Sequence, residues 1–297
     1  MNRSLSWLTG STRHDDVANY DDVMPDLESR ITSWYEKIGE LGPDDLEARR
    51  DVELVITKLD DGQIRVAEIN AADEVVVHEW IKKAILLLFR LRGLEPSEAG
   101  PFEYLDKLEL KTDYARRGVR VVPGASARRG SFLSRGVILM PSYVNIGAWI
   151  GPNTMVDTWA TVASCAQIGA NVHLSGGVGI GGVLEPPNAR PVVIEDDAFI
   201  GSRSMIVEGA RVGKGAVVGA GTILNPSIPV IDADNGEEIS RGHVPPYCVA
   251  VSASRRRQYP GGEFFLPCVL VVRRLDEGER HDKLALNTIL RDHGIST

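Results

Sequence analysis

Aromatic residues and cysteines are scarce in this 297-residue sequence, and long hydrophobic runs are missing. The three cysteines, Cys165, Cys248 and Cys268, form no CxxC pair and are too few for a disulfide framework, which favours a reducing, cytoplasmic location. The longest apolar run, 84–89, falls far short of the roughly 20 residues that a membrane helix needs. No signal-peptide pattern opens the sequence. These absences argue against membrane and secreted proteins.

The charge balance is acidic, with 33 basic and 41 acidic side chains and a net charge of −8. A protein surface of this sign disfavours nucleic acid as a partner and favours a small molecule, without excluding a basic pocket for an anionic cofactor. We find no spacing of histidine, cysteine and carboxylate that indicates a protein-bound metal.

The first 110 or so residues have a helical pattern. Segment 65–69 alternates like a short strand, and Arg92 with Gly93 indicates the end of a helix. We predict a small α-rich N-terminal domain over residues 1–112. Apolar residues spaced three and four apart predict amphipathic helices at 46–59, 75–94 and 102–108.

A repeat with a period of six begins near residue 137. A helix has no such period and a strand alternates every two residues, so each hexad predicts a short strand followed by a corner. Three hexads make one coil, and stacked coils bury the apolar positions inside a parallel β-helix. The apolar positions are Ile138, Val144, Ile150, Val156, Val162, Ile168, Leu174 and Ile180, then Ile194, Ile200, Ile206, Val212, Val218 and Leu224.

The repeat is interrupted once, between Ile180 and Ile194, so segment 185–191 must loop out. Inserts on a rigid scaffold often line binding sites, and we expect this one to close over a substrate. The hexads stop at residue 225. We predict a β-helix domain over 113–248 and a C-terminal cap over 249–297 that protects the end of the solenoid, with strands at 249–251 and 266–272 and a helix at 283–291.

Side chains next to an inward hexad residue point outwards. By this arithmetic Asp157, His173 and Met205 face outwards. An outward aspartate can serve a ligand, or it can simply hydrogen-bond its own turn, and the pattern alone leaves both interpretations open.

Seven motifs of the β-helix match one known family of enzymes. They lie at 120–123, 140–148, 155–162, 164–169, 171–186, 194–196 and 199–201, with weaker similarity at 65–68 and 78–84. Over these residues the sequence resembles the tetrahydrodipicolinate N-succinyltransferases. The resemblance implies a left-handed β-helix and a homotrimer with its sites between subunits. It also implies transfer of a succinyl group from succinyl-CoA to the amino group of tetrahydrodipicolinate, in its 2-amino-6-oxopimelate form, in diaminopimelate and lysine biosynthesis.

The resemblance implies that Arg120 and Asp157 bind the dicarboxylate substrate. Chemistry makes Asp157 the catalytic candidate, because a carboxylate can orient an amine and accept its proton during attack on a thioester. The planar guanidinium of Arg120 suits a substrate carboxylate, although a surface salt bridge is its ordinary alternative.

The sequence departs from the family pattern at Met205, where relatives carry a second acidic residue. Methionine cannot take a proton, so this carboxylate is dispensable, or Glu208 replaces it as a second catalytic residue, or the substrate or acyl group differs. The last case predicts an N-acyltransferase that uses acetyl-CoA or another acyl-CoA on a related amino dicarboxylate in a specialised pathway. A scaffold without catalytic activity is the non-enzymatic alternative.

Three basic residues are candidates for the phosphates of the acyl-CoA. Arg203 and Lys214 lie on the later coils, and Arg255 begins a cluster of three arginines just beyond them. His173 is a rival general base, because other hexapeptide-repeat acyltransferases use an outward histidine. Cys165 has no base nearby in sequence and is expected to be a buried or interface thiol.

Overall fold

The computed structural model describes residues 20–277, so the helix expected at 283–291 lies outside its range. From residue 20 onwards, the N-terminal region contains four helices and two antiparallel hairpins. The helices are α1 (Tyr20–Glu36), α2 (Leu46–Asp60), α3 (Glu79–Leu91) and α4 (Tyr114–Arg117). The hairpin strands are β1 (Ala67–Ile69), β2 (Val75–Val77), β3 (Glu95–Ala99) and β4 (Phe102–Asp106).

Helices α1, α2 and α3 pack around one apolar core, because each has a buried apolar side. The predicted helix at 46–59, strand at 65–69 and helix end at Arg92 are confirmed. The helix predicted at 75–94 is confirmed only from Glu79, since three consecutive valines form β2 first. The helix predicted at 102–108 is wrong, because aromatic residues alternating with acidic ones there build strand β4.

The rest of the chain winds into a left-handed parallel β-helix with three faces. The first face contains β5 (Arg120–Val121), β8 (Ile138–Leu139), β11 (Met155–Val156), β14 (His173–Leu174), β17 (Phe199–Ile200) and β20 (Val217–Val218). The second contains β6 (Ser126–Ala127), β9 (Tyr143–Val144), β12 (Thr161–Val162), β15 (Gly179–Ile180), β18 (Met205–Ile206) and β21 (Ile223–Leu224). The third contains β7 (Phe132–Leu133), β10 (Trp149–Ile150), β13 (Gln167–Ile168), β16 (Val193–Ile194), β19 (Arg211–Val212) and β24 (His243–Val244).

The chain passes from the first face to the second, then to the third and back. We call the bends first corner (first to second face), second corner (second to third) and third corner (third to first). Met155 pairs with His173 one coil above, so a full coil takes eighteen residues as predicted. The inward hexad residues and their small companions fill one continuous apolar core.

The hexad register differs from prediction at Ile138. The inward residue there is Leu139, which is 0% exposed, while Ile138 is only half-buried on the outside. The step from Leu139 to Val144 is therefore five residues, and this coil is one residue short. The coils also begin earlier than residue 137, at Val121.

The hexads break at residue 225 as expected, but the prism continues beyond the break. The chain leaves the prism for a short hairpin, β22 (Pro229–Asp232) and β23 (Glu238–Arg241), and then returns to add β24 to the third face. It also adds β25 (Cys248–Tyr259) to the first face, and β25 continues outwards as a long arm with β26 (Gly262–Arg274). The strands predicted at 249–251 and 266–272 are confirmed within this arm.

The N-terminal region covers the third face of the prism. The guanidinium of Arg65 stacks over the Trp149 ring at 4.5 Å, and its Nε donates a hydrogen bond to Gln167 Oε1 at 3.0 Å. Higher on the same face Arg211 pairs with Asp73, at the tip of the β1–β2 hairpin. The third face is thus an internal interface of the chain.

Asp60, at the end of α2, ties the helices to the first coils. Its carboxylate binds Lys111 Nζ at 2.6 Å and an Nη of Arg117 at 2.7 Å, and it accepts a hydrogen bond from the backbone N–H of Gly130 at 2.8 Å. Asp60 and Lys111 are both buried. The carboxylate therefore satisfies two cations that are withdrawn from water.

The second face is largely uncovered. Trp159 at its first corner is 76% exposed, and Met205 and Ile223 on the face are 42% and 55% exposed. Gly179 and Thr161, on the two coils below Met205, add little side-chain bulk to this face. The face that remains flat and apolar is the one next to Asp157.

Candidate active site

The first corner carries the predicted catalytic carboxylate. Val156 ends β11 with its side chain fully buried, and Asp157 follows at the start of the corner with its side chain turned outwards, as predicted. The bend itself falls at Trp159, whose φ of 60° lies in the left-handed region. The chain there is held by the N–H of Trp159 donating to Pro141 O at 2.6 Å. A rigid coil thus fixes where the carboxylate projects.

The two oxygens of Asp157 have different surroundings. Oδ1 accepts hydrogen bonds from the backbone N–H of Thr158 at 2.6 Å and from the Thr158 hydroxyl at 3.1 Å. Oδ2 lies 3.6 Å from Nε2 of His173 on the next coil. One oxygen therefore stabilises the turn, as the ordinary interpretation of an aspartate predicts, and the other faces an imidazole.

The pairing of Asp157 with His173 is a contact that the sequence analysis missed. The two residues are sixteen apart. In an eighteen-residue coil His173 stacks directly on Met155, and Asp157 lies two residues beyond Met155 along the chain. The ring centroids of His173 and Phe199, one coil higher, are 5.3 Å apart. This contact limits the motion of the imidazole. The coil length was a sufficient signal for this pair.

Arg203 occupies the same corner as Asp157, two coils above it. It takes the left-handed bend of its coil with φ 59°, and its N–H donates to Gly176 O at 3.0 Å. The side chain lies over Gly177, where a Cβ would come within 3.2 Å of the Arg203 Cγ. The absence of a side chain at Gly177 therefore gives the stem of Arg203 its place on the corner.

Arg120 lies on the first face, in the column that also carries Met155 and His173. Strand β5 pairs with β8 and β8 with β11, so Arg120 is two rungs, or roughly 10 Å, below the level of Met155. Its side chain is exposed and makes no ion pair within residues 20–277. The salt bridge offered as its ordinary role is not formed there.

The other predicted site residues are not brought to the first corner. Glu208 bends the second corner with φ 55°, across the width of the second face from Arg203. Lys214 lies at the third corner, where its Nζ is 3.7 Å from Glu277. Arg255 lies on the arm and donates to Glu238 at 3.0 Å. Of the predicted site residues, Arg120 lies on the first face, and Asp157 and Arg203 lie at the first corner, which borders that face. Glu208, Lys214 and Arg255 lie elsewhere in the same chain.

Met205 lies outwards on β18, as predicted. A Cβ at Gly179, one coil below, would overlap the Met205 side chain, so the thioether covers the second face at that level. The surface beside the first corner is therefore apolar where relatives are expected to carry a carboxylate.

Two surface clefts of the described chain are lined by residues other than Asp157. One, of about 480 Å³, lies against the third face and is lined by Arg65, Trp149, Asp196 and Lys214 among others. A second, about 440 Å³, lies beside the arm and is lined by Arg241, Arg255 and Arg257 with other residues. Asp157 instead lies on an open corner, which a second wall would have to enclose.

Burial sets the chemistry of the thiols. Cys165 is fully buried, and burial raises its pKa to about 12 despite the nearby Lys82 ammonium. Cys248 and Cys268 are also buried, and burial raises the pKa of each. All three thiols are protonated and poor nucleophiles at neutral pH. The expectation that Cys165 is a buried thiol is confirmed.

No cluster of three metal-ligating side chains occurs in the part of the chain that the structure covers. None of its helices within residues 20–277 is both long and apolar enough to cross a bilayer.

Comparisons with known families agree with this architecture. A model described as "Tetrahydrodipicolinate N-succinyltransferase N-terminal" matches residues 26–91, and one described as "Hexapeptide repeat of succinyl-transferase" matches residues 191–226. The fold and these matches define a transferase of the hexapeptide-repeat class. The 2,3,4,5-tetrahydropyridine-2,6-dicarboxylate N-succinyltransferase of Acinetobacter baylyi is 46% identical over 276 residues, covering 90% of this chain and 99% of that protein. The chain belongs to the tetrahydrodipicolinate N-succinyltransferase family.

Further relatives carry the same name. The protein from Idiomarina loihiensis is 47% identical over 278 residues, covering 90% of this chain and 99% of its own length. Among solved structures, the acetyltransferase domain of PglB from Neisseria gonorrhoeae is 20% identical, with a TM-score of 0.36 over 46% of this chain and 55% of that chain.

Proposed function

We propose that this chain transfers the succinyl group of succinyl-CoA to the amino group of tetrahydrodipicolinate, in its 2-amino-6-oxopimelate form, on the route to diaminopimelate and lysine. Family membership over nine tenths of the chain supports the reaction. The structural observation that carries it is Asp157 Oδ2, which faces His173 at 3.6 Å on an open, rigid corner.

The proposed chemistry uses Asp157 as general base. The substrate nitrogen attacks the thioester carbonyl carbon, its lone pair forming the new C–N bond, and the C–S bond breaks to release CoA thiolate. Asp157 Oδ2 accepts the proton that the nitrogen loses, and that proton finally reaches the thiolate. Oδ1 is already held by Thr158, so the carboxylate is oriented before the substrate arrives.

We propose that Arg120 binds a carboxylate of the substrate. Its guanidinium is exposed, makes no ion pair within the described chain and lies on the Asp157 side of the prism. Bidentate binding of a carboxylate would fix one end of the substrate while Asp157 receives the amine at the other. Arg120→Lys keeps the charge but loses the fork, so a raised KM for the amino dicarboxylate is the expected result.

We propose a homotrimer in which the bare second face meets a neighbouring copy. An exposed tryptophan, methionine and isoleucine on one flat face form a surface that solvent disfavours. A second prism there would supply the missing wall for Asp157 and exclude water from the thioester. The sites would then lie between subunits.

We propose Arg203 as the first contact for the acyl-CoA phosphates, because it shares the first corner with Asp157. Lys214 and Arg255 remain predictions, each reaching the ligand only from another corner or from the arm. Replacing each of the three with alanine should raise the KM for succinyl-CoA, most at Arg203, less at Arg255 and least at Lys214. An equal effect at all three would remove the preference for the first corner.

A second candidate function follows from Met205. A thioether where a carboxylate is expected leaves one proton acceptor fewer, which favours a related amino dicarboxylate or another acyl donor, such as acetyl-CoA. Glu208 lies at the second corner and stays a prediction as second catalytic residue, tested by Glu208→Gln. A loss of turnover in the Glu208→Gln variant would indicate that Glu208 of a neighbouring copy lies close to Asp157.

The deciding experiment measures thiol release from succinyl-CoA and acetyl-CoA, each with tetrahydrodipicolinate. We expect acceptor-dependent release with a clear preference for succinyl-CoA. A preference for acetyl-CoA would support the second candidate, and no acceptor-dependent release would contradict both and favour a scaffold. The His173→Ala variant distinguishes His173 from Asp157 as the general base. We expect it to lose most of its turnover only if His173 is the base. We propose the cytoplasm as the location, where acyl-CoA is available and buried thiols stay reduced.

A further inference from the structure

Lys82 is an unusual buried cation. It lies on α3, is 0% exposed and lowers its own cost of burial with two hydrogen bonds to backbone carbonyls, Pro186 O at 3.1 Å and Ala189 O at 2.8 Å. Burial lowers the pKa of its ammonium group. Lys111, a second buried lysine among the described residues, binds the Asp60 carboxylate instead. An ammonium that is withdrawn from water to bind two carbonyls has a positional task.

Both carbonyls belong to the insert that interrupts the hexads. The chain leaves the second face after β15 and rejoins the third face at β16, and the insert occupies the second corner between them. Leu184, at its start, packs against the core of the N-terminal helices. The insert is therefore docked on α3, and its expected closure over a substrate stays a prediction.

The helix that carries Lys82 is itself fixed to the second corner. Ile85, one turn further along α3, packs over Gly147, where a Cβ would come within 2.9 Å of its Cδ1. Cys165, one coil above Gly147 and fully buried, belongs to the same apolar core as Ile85. The ammonium of Lys82 thus projects from a rigid support.

The insert borders the bare second face at the edge opposite Asp157. Arg190 O lies against Gly209, the residue after Glu208, so the insert packs on the coil that carries Met205. In the proposed trimer this edge closes one side of the seam in which the acceptor binds. The position of the insert then sets the width of that seam.

We propose that Lys82 is a positioning residue that holds the insert 185–191 in place and thereby sets the affinity for the amino dicarboxylate. The inference rests on the proposed function, and it adds that the N-terminal helices act on the substrate site through one buried amine. Lys82 touches no reacting atom, so its loss should weaken substrate binding and leave the chemical step largely intact.

The test compares Lys82→Met with Lys83→Met. Methionine keeps the length of the side chain and removes both hydrogen bonds. Lys83 is a half-buried lysine on the same helix, and its Nζ lies 5.8 Å from the centroid of the Tyr35 ring. For Lys82→Met we expect roughly tenfold faster hydrogen exchange at residues 183–192 and a KM for the amino dicarboxylate raised about tenfold, with kcat within about twofold. Lys83→Met should match the wild type in all three.

A shortened insert, with residues 185–191 replaced by two glycines, makes the test a double-mutant cycle. If Lys82 acts through the insert, Lys82→Met adds no further change in KM to the shortened protein. Where Lys82→Met alone fails to fold, recovery of folding in the shortened protein supports the proposal, and failure in both backgrounds overturns it.

Other results would overturn the role of Lys82 or the proposed function separately. Unchanged exchange of the insert in Lys82→Met overturns the proposal, as does a loss confined to kcat. If the wild type does not turn over succinyl-CoA with the acceptor, the proposed function fails, and the exchange measurement still decides whether Lys82 anchors the insert.

Discussion

The third and second faces of the prism are built from the same six-residue repeat but are covered differently. The third face presents Trp149, Gln167 and Arg211, and each has a partner in the N-terminal region or on its own face. The second face presents Met205 and Ile223 to solvent. The repeat fixes what lies inside the prism, while the outward residues determine which face the chain covers itself.

This difference explains where a catalytic corner can lie. Residues on the third face are held by contacts within one chain, so they are structural. The first corner borders an uncovered face, so Asp157 and Arg203 remain available to ligands and to another subunit. Variants on the open side and variants on the covered side should therefore have different effects.

The largest expected effect is on the open side, at Asp157. Asp157→Asn keeps the shape and the contact with Thr158 but removes the proton acceptor, so kcat should fall by about 10²- to 10⁴-fold with the oligomer intact. Steady-state kinetics and light scattering check this. An unchanged kcat would remove Asp157 from the mechanism, and a dissociated oligomer would make its role structural.

On the covered side the largest effect is expected at Asp60. Asp60→Ala leaves the buried Lys111 ammonium without its carboxylate and removes the shorter of the two ion pairs of Arg117, which should lower the free energy of unfolding by about 3–5 kcal/mol. Denaturant titration measures it. Asp113, which pairs with Arg116 at 2.9 Å on the exposed surface, is the control. Asp113→Asn removes this ion pair, keeps a residue that tolerates the left-handed φ of 61° there, and should cost less than about 1 kcal/mol. Equal losses would show that the junction at Asp60 is not special.

An added charge should disrupt the proposed subunit contact on the second face. Ile223→Glu places a carboxylate on the flat apolar surface, so the oligomer should dissociate at least about tenfold more readily, with a folded chain. Sedimentation over a concentration series measures it. Leu46, an exposed leucine on α2, is the control, and Leu46→Glu should leave the mass unchanged. An oligomer that tolerates Ile223→Glu would place the interface on another face.

The sequence was most informative about the inside of this molecule. A period of six is specific to one kind of coil, and the inward residues follow from it. At Ile138 and Leu139 two apolar neighbours fit the inward position equally well, so the five-residue step could not be predicted there. Strand β4 was wrongly predicted as a helix, because charged residues between aromatic ones fit the exposed side of a helix as well as that of a strand.

The candidate site was only partly predictable. Asp157 followed from the outward rule, and its pairing with His173 was available from the coil length. The anchoring of the insert by Lys82 carries no local signal, because the residues in contact are more than a hundred positions apart. The separation of Arg203, Glu208 and Lys214 onto three corners likewise requires counting each residue's place in its coil.

A smaller effect is expected from Gly177, which lies beneath Arg203. Gly177→Ala should displace the arginine and raise the KM for succinyl-CoA a few-fold, besides costing about 1 kcal/mol of stability at its φ of 71°. Gly236 has a φ of 76° with nothing nearby, so Gly236→Ala shares the backbone strain without the displacement. If both variants change the KM alike, Arg203 does not depend on Gly177.

The smallest effect is expected on the covered side, at His243. Burial, and then the nearby Arg211, lower the pKa of His243, and its Nε2 is buried without a hydrogen-bond partner in the described chain. Because the unfolded chain binds this proton more readily, stability should fall as the pH drops through about 6.5, the ordinary histidine value. His243→Asn removes this contribution, so its melting temperature should fall less between pH 7 and pH 5 than that of the wild type. Parallel curves would show that the neighbouring Asp73 and Glu195 offset the charge and that the third face tolerates protonation.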